Sequence, residues 1–293
     1  MAALLFSKHK ASLASDAIVR MGRAGLEFYD DLLRGLKTEN SNHCFGKALG
    51  AVLKVAPEKI PELLVLTDSS SVAERSSALV ALAYCGKRAT ECYPEVETRL
   101  LAILKSNPED RIWYSTTWAL GECARTSATV DALFARLDSG DMARKGEIIT
   151  ALGTIGIEAE RVVPRLIEML DAYEEYDPDR CYHGEHERVV SALRGFGNAA
   201  ALAVPALVRH IWEKPTKQWT DSTTEPKLVE CADPDEEVIT LLGELGALAR
   251  DALPALLEVR EQMRQRNHAD ESQDESSYWN LAIQRIQNAT QGR

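Results

Sequence analysis

Apolar residues recur at three-to-four spacing along most of the chain, and a longer period phases them. Ile148, Leu152 and Ile155 form one helical stripe, and Gly156 follows directly. Glycine tolerates positive φ and so ends a helix at low steric cost. Eight residues later comes Pro164, then a second stripe of Leu166, Ile167 and Leu170. Proline lacks the backbone N–H that the first turn of a helix leaves unused, so it suits the start of that second helix. The stretch predicts two helices joined by a tight corner.

The same frame, a small apolar residue with Gly five positions on and Pro thirteen on, returns along the chain. Ala48 leads to Pro61, Ala81 to Gly86 and Pro94, Ala192 to Gly197 and Pro205, and Leu241 to Gly246 and Pro254. Weaker copies start at Ala17 and Ala119, which makes seven. Steps between the proline-type positions are 31, 33, 38, 32, 41 and 49 residues. The two long steps correspond to polar insertions at 171–185 and 212–234, each joining a second helix to the next repeat's first helix. The predicted organisation is one array over 1–293. It has an N-terminal cap in 1–14, repeats over 15–259, and a C-terminal cap in 260–293 that ends in a helix carrying Trp279, Ile283 and Ile286. A single helix pair cannot bury both its faces, so neighbouring pairs must stack.

A helix pair with Gly in the corner and Pro opening the second helix resembles the HEAT repeat, including the shorter bacterial form of phycobilin lyase-like proteins. That resemblance implies an all-α fold, a right-handed superhelical α-solenoid of about seven helix pairs with terminal capping helices. It also implies a scaffold or adaptor, since most HEAT proteins hold partners.

Composition narrows the function classes. A formal charge of −11, from 45 acidic and 34 basic residues, argues against a nucleic-acid surface, which needs a basic footprint, and favours a basic protein partner. The apolar run at the N-terminus is short for a secretory signal, and no stretch reaches membrane-span length. The six cysteines have no paired spacing, so a reducing, cytoplasmic setting is expected. No motif assigns a cofactor.

Candidate binding residues lie where the frame is broken. Trp113, Tyr114 and Trp118 occupy columns filled in other repeats by polar residues such as Arg75, Lys145, Glu187, Lys47 and Thr150, so all three are expected to face water. Tyr114 and Trp118 are four apart and share a helix face, and such aromatic side chains are favoured in interaction hot spots. Trp219 in the second insertion, and Tyr176 and Tyr182 in the first, are further partner candidates. Cys181, His183 and His186 are metal-competent by type, but they lack a second ligand pair at tight spacing. Cys85 and Cys123 fall in a column of core residues.

The leading expectation is a non-catalytic interaction protein, and one version of it is an inhibitor or immunity protein that neutralises a toxin. The enzymatic alternatives are a HEAT-like DNA glycosylase, for which Tyr114, Trp118 and Glu122 supply the residue types, and a chromophore lyase-like enzyme.

Overall fold

The computed structural model describes residues 5–6, 10–37, 43–140, 144–172, 183–212, 217–218, 227–228, 234–266 and 277–292. The fold is all-α, and it divides into two compact units, Met1–Ile157 and Glu158–Arg293. No helix among the described residues is long and apolar enough to cross a membrane.

In the first unit the helices are α1 (Ala11–Met21), α2 (Tyr29–Leu36), α3 (His43–Val55), α4 (Ile60–Leu66), α5 (Val72–Cys85), the one-turn α6 (Lys87–Cys92), α7 (Glu95–Lys105), α8 (Asp110–Cys123), α9 (Ser127–Leu137) and α10 (Lys145–Ile155). The first helices of successive repeats, α1, α3, α5, α8 and α10, pack each on the next, and the second helices form the other layer. Leu49, Leu53, Ile60, Leu63, Leu79, Leu82, Leu100 and Leu104 lie fully buried between the layers. Burying each side chain contributes about 2 kcal/mol. Small residues set the spacing of the first layer. A Cβ on Gly50 would sit 2.4 Å from the Tyr84 Cβ, and one on Gly46 would sit 2.5 Å from a Val80 methyl.

The second unit holds α11 (Ala159–Ala172), α12 (His183–Arg194), α13 (Val204–Arg209), α14 (Glu236–Leu245), α15 (Leu253–Arg266) and α16 (Tyr278–Thr290). Its core is built on Val162, Leu166, Leu170, Val190, Leu193, Leu207, Ile239, Leu242 and Leu256. As the terminal stripe predicts, α16 closes this core with Ile283 and Ile286 and lies on α14, where Gly243 leaves room for Ala282. The second insertion contains a two-residue antiparallel pair that the helical pattern gives no sign of. In it β1 (Lys217–Gln218) pairs with β2 (Lys227–Leu228).

The corner chemistry matches the frame. Gly22, Gly86, Gly156, Gly197 and Gly246 all have positive φ, between 53° and 64°. In three repeats a 3-10 run, Gly22–Phe28, Gly197–Ala203 or Gly246–Ala252, then spans the step to the second helix. Pro61, Pro205 and Pro254 sit at the second position of α4, α13 and α15. Pro164 departs from the expectation, because α11 already begins at Ala159 and carries the proline inside it. The early start has a local cause, since the N–H groups of Arg161 and Val162 both donate to the Glu158 carbonyl and form the turn before Pro164 is reached. At the N-terminus, α1 starts at Ala11, within the segment read as a cap.

Candidate functional site

The aromatic cluster is built on α8, which buries an unusual number of hydroxyls. Thr116, Thr117 and Ser115 donate to the carbonyls of Ile112 (2.7 Å), Trp113 (3.0 Å) and Arg111 (3.0 Å) one turn back. Because each hydroxyl is satisfied within its own helix, the polar run costs little to bury. The opposite face carries Tyr114, 55 % exposed, with Trp118 half-buried one turn on. Their ring centroids are 6.5 Å apart, and the Trp118 ring meets Tyr84 of α5 edge-on at 5.1 Å. Both spacings fall in the range favoured for aromatic pairs. Burial is the main influence that holds the Tyr84 phenol above its ordinary value, with the Lys47 charge pulling the other way. Lys47 donates to Asp16 at 2.8 Å.

Tyr84 belongs to this surface although no motif marks it. The repeat frame did contain the signal. In the column of Ala51, Glu122, Thr154 and Glu244, Tyr84 is the aromatic residue. Beside the rings lies a cavity of about 440 Å³, lined by Gly46, Ser76, Ser77, Val80, Ser115 and Tyr114 together with Asp110 and Arg111. The hydroxyls of Ser76 and Ser115 bond each other at 2.9 Å on its floor.

Trp113 does not face water. It is 3 % exposed, with the guanidinium of Arg144 over its ring at 4.5 Å and that of Arg136 at 5.5 Å. Arg144 is fixed in turn by Asn107, the Pro108 carbonyl and Asp110. The polar column to which Trp113 belongs lies at the junction of consecutive repeats, where long side chains reach the next repeat. Arg75 bonds Glu109, and His186 faces Asp235. Polarity in that column therefore marks inter-repeat pairing and not solvent exposure. The Trp113 indole Nε1–H has no partner among the described residues.

Trp219, Tyr176, Tyr182 and Cys181 lie outside the described residues, and His183 is described only by its backbone, in the first turn of α12. His186 Nδ1 stands 3.3 Å from Asp235 Oδ2, and its ring lies 5.6 Å from that of His210. His210 Nε2 is 3.6 Å from Asp171 Oδ1. The Asp171 carboxyl is held below its ordinary value, first by its hydrogen bonds from Arg209. These four residues stand at the four ends of the two insertions, and Asp235 also caps α14 by accepting from the Val238 N–H. Sequence reading missed this convergence because the residues are dispersed over 171–235. No group of three or more metal-competent side chains is assembled among the described residues. Cys85 and Cys123 are buried. Desolvation pushes the Cys85 thiol up to about 11 and Cys123 higher still. Glu122 follows Trp118 on α8 and is half-buried.

The fold defines an all-α protein built from repeated helix pairs. No family model matches the chain, and no curated protein matches it either. Among solved structures, an engineered protein from a structural genomics consortium matches over 99 % of this chain and 77 % of its own, at 16 % identity and a TM-score of 0.47. A second engineered protein matches 79 % of this chain and 97 % of its own, at 16 % identity and a TM-score of 0.46.

Proposed function

We propose that the chain is a non-catalytic protein-binding module made of HEAT-like helix pairs, and that it docks a partner protein on the surface formed by Tyr84, Tyr114 and Trp118. The observation that carries this reading is the three-ring cluster itself, with Tyr114 more than half exposed beside an open cavity. Rigid aromatic side chains on a packed helical layer offer large contact area at low entropic cost, as binding hot spots do. The corner glycines with positive φ support the HEAT-like description of each pair. The charge of −11 supports a basic partner only through the chain as a whole. The rings themselves are flanked by both signs, Asp16 and Glu122 against Lys47 and Arg111.

Affinity capture from cells, followed by mass spectrometry, tests the reading. A Tyr114→Ala, Trp118→Ala variant should lose the specific partner while its melting temperature stays within a few degrees of wild type. Retention of every partner by a folded double variant would refute it.

A further inference from the structure

The cavity beside Tyr114 carries an inference that rests on the docking reading and sharpens it. Its charge differs from that of the whole chain. Around it, Arg75 is paired with Glu109 at 3.0 Å, Lys47 with Asp16 at 2.8 Å, and Arg144 with Asp110 at 2.7 Å. Arg111 lines the same cavity, is exposed, and forms no ion pair among the described residues. The acidic residue at the rim, Asp110, is already neutralised by Arg144. Among the described residues, one uncompensated positive charge is therefore left at the mouth.

The interior is small and mostly apolar, with a few hydroxyls, and its charge lies at the mouth. Gly46, Ser76, Ser77 and Ser115 supply four of the eight lining residues, and Val80 and the Tyr114 ring add an apolar wall. The first turn of α8, where Arg111 sits, has no side-chain cap, so its backbone adds positive potential on the same side. From the cavity, Tyr114 leads directly to Trp118 and Tyr84.

We infer that this cavity receives an acidic side chain of the docked partner, an Asp or Glu whose carboxylate meets the Arg111 guanidinium while a neighbouring apolar or aromatic residue of the same segment lies on Tyr114 and Trp118. A guanidinium can take a carboxylate through two parallel hydrogen bonds, and the carboxylate geometry suits that fork. A basic residue at the cavity would oppose Arg111 directly. The local preference therefore runs opposite to the one that the total charge suggests.

The test is selection of a phage-displayed random peptide library on the full chain, with the enriched peptides synthesised and titrated by fluorescence anisotropy. The expected peptides place Asp or Glu within about four residues of an apolar or aromatic side chain. Arg111→Glu should weaken them about fivefold or more, as for loss of an exposed ion pair compounded by repulsion. Tyr114→Ala should weaken them further, and circular dichroism should show both variants folded. If the peptides depend on Tyr114 but lack acidic residues, or are indifferent to Arg111→Glu, the acidic pocket is overturned and the docking surface stands. Peptides indifferent to Tyr114→Ala, or a library that yields no binder, would overturn both. So would salt-sensitive capture of a single-stranded oligonucleotide at these residues with no acidic peptide bound.

Discussion

Glu97 offers the most exacting test of how the first unit is held together. It lies in the first turn of α7, is 6 % exposed, and caps a different helix. Its Oε1 accepts from the Thr126 N–H at 3.1 Å, the Thr126 hydroxyl at 2.7 Å and the Thr129 hydroxyl at 2.6 Å. The Arg125 N–H lies 3.3 Å from both carboxylate oxygens. Thr126, the N-cap of α9, makes no side-chain cap bond of its own, so a carboxylate from the preceding repeat takes over that task. Glu97→Ala would leave two backbone donors without an acceptor and free two hydroxyls, of which the Thr129 one is fully buried. The hydroxyls can rotate to local carbonyls and recover part of the loss. With unmade buried bonds costing about 1–3 kcal/mol each, we expect a net loss of about 3 kcal/mol. For a unit of this size that is a fall of about 10 °C in melting temperature.

The acid limb supplies a second readout of the same residue. Burial alone would raise the Glu97 carboxyl, but the hydrogen bonds from Thr126, Thr129 and Arg125 outweigh it and hold the group below its ordinary 4.5. A carboxylate whose folded value is depressed stabilises the fold above its unfolded value. That contribution is lost as pH falls through the folded value, so the window lies below about pH 4.5. Urea unfolding at pH 7 and at steps down to pH 3 should show wild type losing stability faster than Glu97→Gln. A loss under about 1 kcal/mol for Glu97→Ala, or an acid limb unchanged in Glu97→Gln, would refute the capping account.

Two further expectations follow from the buried groups. Trp113→Phe removes the unpartnered indole N–H while keeping a ring beneath Arg144, so it should alter stability by less than about 1 kcal/mol, whereas Trp113→Ala should cost about 3–5 kcal/mol in the same urea assay. Desolvated thiols react slowly, so a disulfide reagent at pH 8, read by peptide mass mapping, should label Cys44 and Cys92 while Cys85 and Cys123 react only after denaturation.

Much of this protein was determined by the sequence alone. The spacing of apolar residues, Gly at the corner and Pro eight residues on are local rules, and local physics enforces them. Positive φ at Gly86, Gly156 and Gly246 is required by the chain reversal wherever the neighbours lie. The same holds for Ile283 and Ile286, whose helical spacing puts both on one apolar face, and both are buried. Tertiary structure decided the rest, where a residue's role depends on what the next repeat brings to it. The polar column of Trp113 predicts exposure, yet Arg136 of its own repeat and Arg144 at the start of the next fold over its ring. Tyr84 carried no signature until Trp118 stood 5.1 Å away. Among the described residues Arg111 is left without a counter-charge, which a total of −11 does not foretell, because it depends on Arg75, Lys47 and Arg144 each finding a carboxylate elsewhere. A repeat period fixes which helix face a residue occupies, and the contacts between repeats settle whether that face meets water, a ring or a charge.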